Sequence, residues 1–204
     1  MNLVRTEFAS ARAAEARATL DSELMRSVAH GDRRAMHELY SAHNVRVYRY
    51  VLGMVREPVI AEDVVSEVFL DVWRQADRFQ GRSSVSTWLL GIARHKALSA
   101  IRPPSTEVTV VSDPDAAKAV VDQSKDPEVV THDKRRAAVV RRCMNSLGVA
   151  QAEIINLVYY QGKTVKEISQ IAGVPECTVR TRMFYARKQL EKFLRLAGVD
   201  SAAA

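Results

Sequence analysis

Between Thr164 and Leu190 the chain is punctuated as two helices joined by a three-residue turn, and this spacing constrains the fold more than any other stretch. Thr164 followed three residues later by Glu167 is a capping-box signature, marking a helix that starts before Val165, Ile168 and Ile171. Gly173-Val174-Pro175 ends it, because glycine accepts a positive φ and proline cannot extend the preceding turn. Val179, Met183, Ala186 and Leu190 then recur at helical spacing as an apolar stripe. Two short helices around a glycine turn make a helix-turn-helix, whose second helix can enter a DNA major groove.

An amphipathic helix pair alone is weak evidence, since most such pairs simply face a core. The opposite face is more informative. It offers Arg180, Thr181, Phe184, Tyr185 and Lys188. Arg180 and Thr181 near the helix start suit base edges, while Arg182, Arg187 and Lys188 suit phosphates. From Thr164 to Arg195 there are seven Lys/Arg against three Asp/Glu, a balance that attracts a polyanion.

At 204 residues the chain holds one or two domains, with 47% hydrophobic and 26% charged residues as in soluble globular proteins. No apolar run approaches the span of a bilayer and no leader pattern opens the sequence, so membrane insertion is not expected. Two cysteines, Cys143 and Cys177, make neither a zinc site nor a secreted scaffold, which points to the cytoplasm. The net charge of +6 is unevenly distributed. Residues 60–79 sum to −3, 80–102 to +4, 103–133 to −5 and 134–163 to +5. A chain sorted in this way meets nucleic acid in two places and another partner through its acidic stretches.

Residues 1–20 read as an N-terminal extension, and from Asp21 short helices are expected, broken at Gly31-Asp32. Val45 to Val55 is dense enough for a core helix ended by Pro58. In the helix from Ala61 to Phe79, Val64, Val68, Phe69 and Val72 line one face, while Asp63, Glu67 and Asp71 share the other. Such an acidic stripe is ordinarily a solvated face, and it is also what docks on a basic partner. After the polar loop Gln80-Gly81-Arg82-Ser83-Ser84, Ser86 is placed to cap a helix carrying Trp88, Leu89, Ile92, Ala93 and Ala97 inward and Arg94, His95 and Lys96 outward. Basic residues around a tryptophan after a flexible loop can hold single-stranded DNA, although Trp88 itself reads as core. Residues 103–133, with four prolines and no sustained period, read as a linker between two domains.

In this order the segments resemble a bacterial extracytoplasmic-function sigma factor that keeps only the second and fourth conserved sigma regions. AEDVVSEVFLDVW (61–73) is similar to the family's polymerase-binding helix, STWLLGIARHKAL (86–98) to its promoter-melting helix, and TVKEISQIAGVPECTVRTRMFYARKQL (164–190) to its −35-reading helix-turn-helix. The resemblance implies an all-α fold: a region-two domain at 21–103, an acidic flexible linker at 104–133, a region-four domain at 134–196 and a tail at 197–204. It implies that Asp63, Glu67, Asp71 and Trp73 bind the clamp of the largest polymerase subunit, with the β flap as a further contact. Gln80, Gly81, Arg82, Ser83 and Ser84 would take a flipped −10 base, and Trp88, Arg94, His95 and Lys96 would lie along the opened strand. Glu176, Cys177, Arg180, Thr181, Phe184, Tyr185, Arg187 and Lys188 would face the −35 duplex. The linker would thread the polymerase cleft, and an anti-sigma protein would mask both domains. No cofactor or metal is implied, and nucleoid association would follow from binding polymerase.

Some positions depart from the family. His95 stands where asparagine is common, Tyr185 where arginine is frequent, and Pro175 where Ser or Thr often caps. Cys177 falls in the first turn of the recognition helix, where the helix dipole favours a thiolate, and pairing with Cys143 is one conceivable redox switch. A one-component repressor with an effector domain is the alternative, but it leaves the acidic helix and the basic Trp helix unexplained. Catalysis is not expected: no phosphate loop, nucleophile elbow or HExxH is present, His132-Asp133 lacks companion ligands, and His30 and His37, seven apart, read as surface histidines.

Overall fold

A computed structural model describes residues 2–101 and 132–198, and all regular structure among them is helical. The chain forms two compact units, the first built on the helices before residue 102 and the second chiefly on those after 131. The first contains α1 (Asn2–Ala29), α2 (Arg33–Val55), α3 (Pro58–Gln75), a 3-10 turn (Ala76–Arg78) and α4 (Val85–Ile101).

The break expected at Gly31-Asp32 is present, with Gly31 at φ 84°, but the flanking helices are long, not short. Asp32 starts α2 by accepting the backbone N–H groups of Arg34 and Ala35 at 2.8 and 3.3 Å. One stripe then runs the whole length of α2: Ala35, Leu39, His43, Val47, Tyr50, Val51 and Met54 are all buried. The polar His43 interrupts that stripe in the sequence. In the fold its Nε2 lies 3.0 Å from Asp21 Oδ2, a buried pair joining α1 to α2. Pro58 does not end this helix. Arg56 ends it in the left-handed region (φ 62°), donating its N–H to the Leu52 carbonyl, and Pro58 opens α3, where its missing N–H has no helical partner to lose.

Helices α2, α3 and α4 pack against one another in all three pairings, and α1 closes the group mainly against α2. Val64, Val65, Val68, Phe69 and Val72 come from α3, and Leu89, Leu90, Ala93 and Ala97 from α4, all buried. Each fully buried Leu or Val contributes about 1.5–3 kcal/mol relative to exposure. Tyr40 of α2 meets Phe69 of α3 edge to face at a centroid distance of 4.8 Å.

After residue 131 come α5 (His132–Asn145), α6 (Val149–Ile155), a π-helical turn (Asn156–Tyr160), α7 (Val165–Ala172) and α8 (Glu176–Leu196). Leu147, Ala152, Ile155 and Ala186 form a core against which Met144, Leu190 and Phe193 pack, so α8 rests on α6 and α5. Ile154 is buried, and Val139, Val140 and Val158 are half-buried. The π turn has no counterpart in the sequence reading. The stretch read as a linker lies outside the described residues up to 131, as does the tail from residue 199.

Candidate nucleic-acid interface

The helix-turn-helix forms as its punctuation requires. Glu167 Oε2 accepts the Thr164 backbone N–H at 3.0 Å, and Thr164 Oγ1 accepts the Glu167 N–H at 3.3 Å, completing the capping box. Lys163 Nζ adds an ion pair to Glu167 Oε1 at 2.9 Å. Gly173 takes φ 66°, Ser169 Oγ donates to the Val174 carbonyl at 2.6 Å, and Pro175 sits at the N-cap of α8 without a side-chain cap.

On α8, Val179 and Ala186 are fully buried, and Met183 and Leu190 half-buried. The other face is open. Arg180, Thr181, Arg187 and Lys188 are exposed, and Phe184 and Tyr185 stand 62% and 57% exposed, their rings 5.5 Å apart. Two large aromatic rings in solvent beside bases are costly for an isolated helix and useful to one that meets a duplex. Arg180 is held by Glu176 at 3.2 Å, an exposed i, i+4 pair weak enough for a base edge to displace. Glu176 is half-buried and Cys177 exposed in the first turn, and Thr181 Oγ1 donates to the Cys177 carbonyl. Cys143 is buried; both thiols are free. An open groove of about 700 Å³ continues the basic face past Lys188 to Lys192 and Arg195. Those two positions were not selected from sequence, although their spacing from Lys188 gives the signal.

In the first unit, Gln80, Gly81, Arg82 and Ser84 are exposed and Ser83 half-buried, with Gly81 at φ 66°. The capping residue of α4 is Ser84 and not Ser86: Ser84 Oγ accepts the Thr87 N–H at 3.3 Å and lies 2.8 Å from Thr87 Oγ1. Starting the helix at Val85 lets Val85 and Thr87 go inside. Trp88 is half-buried and tilts against Phe79 at 5.5 Å, so the pair closes the base of the loop. Arg94 is half-buried and His95 exposed.

Lys96 is placed differently from the sequence reading. Its Nζ lies 2.8 Å from Asp71 Oδ2 and 3.2 Å from Glu67 Oε2, so it lies against the acidic stripe of α3. The hydrogen bond to Asp71, opposed by burial and reinforced by Glu67, holds the ammonium above the ordinary lysine range. A raised pKa means that this contribution is complete at neutral pH and is lost as pH climbs through the raised value. Asp71→Ala is expected to cost about 1 kcal/mol at pH 7. Denaturant titrations of wild type and variant should converge once Lys96 deprotonates; a gap that stays constant into that alkaline range would show that the loss is not electrostatic. Asp63 is exposed on the same stripe and has no ion pair among the described residues, and Trp73 is 36% exposed at its border.

Two family patterns match the chain: the one described as Sigma-70 region 2 at residues 39–103, and the one described as Sigma-70, region 4 at residues 137–190. The first spans the acidic helix, the loop and the Trp helix, and the second spans the helix-turn-helix. Together they define the class, a non-enzymatic transcription initiation factor of the sigma-70 kind. The ECF RNA polymerase sigma factor SigK of Mycobacterium sp. (strain KMS) is 33% identical over 164 residues, covering 78% of this chain and 83% of its own. SigK of Mycolicibacterium vanbaalenii is 32% identical over 193 residues, covering 93% and 96%. The chain belongs to the extracytoplasmic-function sigma factors, and it is an alternative sigma factor that directs RNA polymerase to promoters.

In fold it is also similar to CnrH, solved in complex with the cytosolic domain of CnrY, with a TM-score of 0.64 at 20% identity over 87% of this chain and 98% of that one. The sigma factor RpoE of Bartonella quintana, solved in complex with the anti-sigma factor NepR, gives 0.62 at 20% identity over 78% and 96%. A one-component repressor leaves the region 2 match without an explanation. No helix among the described residues is long and apolar enough to cross a membrane.

Proposed function

We propose that the two units divide promoter recognition between them: region two at 21–103 docks on polymerase and handles the −10 element, and region four at 134–196 reads the −35 element. The acidic face of α3, through Asp63, Glu67, Asp71 and Trp73, meets the polymerase clamp. The loop 80–84 takes an unpaired base, and Arg94 and His95 follow the opened strand. Lys96 joins them once the clamp competes for Glu67 and Asp71. The cost of unpairing is offset by fixing the extruded base and the strand's phosphates. Glu176, Cys177, Arg180, Thr181, Phe184, Tyr185, Arg187 and Lys188 of α8 face the −35 duplex. An anti-sigma protein masks these faces, a reading supported by the NepR complex of the structurally similar RpoE. The protein works in the cytoplasm, at the nucleoid when bound to polymerase.

The observation that carries this reading is α8: Val179 and Ala186 go to the core while bases and aromatic rings stand in solvent on the other side. In vitro transcription with core polymerase on a genomic promoter library, sequencing the starts, tests it as a whole. Starts that share no upstream −35 and −10 pair would reject it. Arg180→Ala should lower promoter selectivity by about 1–3 kcal/mol if Arg180 reads a guanine. Equal weakening on specific and random duplex would make it a phosphate contact only.

A further inference from the structure

Three of the four arginines on α8 are held in different ways. Arg180 pairs with Glu176 and Arg195 with Glu191, each across one helical turn. One turn before Arg187 stands Met183, and the carboxylate one turn after it, Glu191, holds Arg195 at 2.7 Å, so among the described residues none forms an ion pair with Arg187. The Arg187 guanidinium instead lies over the ring of Tyr159, with its central carbon 5.6 Å from the centroid. Tyr159 belongs to the π-helical turn Asn156–Tyr160, and π turns are an uncommon local geometry that recurs at functional sites. Within that turn Leu157 is fully buried, while Tyr159 and Tyr160 are 60% and 62% exposed. Packing in its own core therefore does not explain Tyr159.

A ring face holds a guanidinium without consuming it. A carboxylate would neutralise the charge and occupy N–H donors, whereas a ring face attracts the cation and leaves its donors and positive charge available. That arrangement suits an arginine that has to meet a phosphate oxygen on the flank of a recognition helix. We propose that Tyr159 is a positioning residue for promoter binding, its ring holding Arg187 in the orientation that meets the −35 backbone. This rests on the reading of α8 as the −35 helix. Arg187 is the phosphate contact; Tyr159 acts through it and reads no base. The binding energy saved is the rotamer entropy that a free arginine would lose on contact.

The test uses the full chain assembled with core polymerase, binding a duplex that carries the −35 element, across a series of salt concentrations. Tyr159→Leu should weaken binding about fivefold and lower the salt slope by about one, as Arg187→Gln does, because the phosphate contact is no longer held. Tyr159→Phe keeps the ring and should bind as wild type. The double variant Tyr159→Leu/Arg187→Gln should bind no more weakly than Arg187→Gln alone. Melting temperatures of the variants separate these effects from unfolding. Wild-type affinity for Tyr159→Leu, or additive losses in the double variant, would overturn the proposal while leaving the recognition helix in place. If Arg187→Gln itself leaves affinity and salt slope unchanged, Arg187 is no phosphate contact, and the reading on which the proposal stands fails with it.

Discussion

Asp63→Lys should abolish co-purification with core polymerase while the purified chain keeps its helical content and melting temperature. Asp63 lies exposed on the outer face of α3, with no ion pair among the described residues, so a cation there disturbs nothing inside the fold. Leu70 shares this face at 52% exposure, and Trp73 borders it at 36%. An acidic rim around exposed apolar side chains is the pattern in which a few anchors carry most of an interface's energy. Trp73→Ala should therefore cost about 2 kcal/mol or more of polymerase affinity. Charge reversal against a basic partner adds repulsion to the lost attraction, and the effect should shrink as salt is raised. Glu67 is a poorer probe, since its carboxylate holds Lys96, and Glu67→Lys would set two ammonium groups together inside the first unit. Undiminished co-purification of Asp63→Lys with core enzyme would remove α3 from the proposed docking face.

Leu89→Ala should destabilise the first unit by about 2–5 kcal/mol, read as a shift of the denaturation midpoint. Leu89 is fully buried on α4, the helix that packs on both α2 and α3, so a cavity there touches three helices at once. Leu89→Met keeps nearly the same volume on an unbranched, adaptable side chain and should cost less than about 1.5 kcal/mol. A loss below about 1 kcal/mol in the alanine variant would mean that the neighbours collapse into the space, and that the three-helix junction is looser than its burial indicates.

Where sequence reading succeeded, the determining interaction was local. The capping box at Thr164 and Glu167 and the glycine at position 173 each depend on residues within one turn. The same is true of the alternation that sends Val64, Val68 and Val72 inward. Where it went astray, a distant partner had changed the meaning of a residue. Ser86 looked like the cap of α4, but the core takes Val85 and Thr87, which pushes the start back to Ser84.

By itself, then, the sequence determined that the described chain is helical, where its helix-turn-helix begins and turns, and which kinds of surface its charges make. Only the tertiary structure decided that Lys96 turns to Glu67 and Asp71, and that Arg187 rests on Tyr159. The physical reason is range. A cap or a helical stripe is written into neighbouring residues. A cross-helix ion pair or a guanidinium over a distant ring depends on how two elements are set against each other, and that is decided by the summed packing of the whole core.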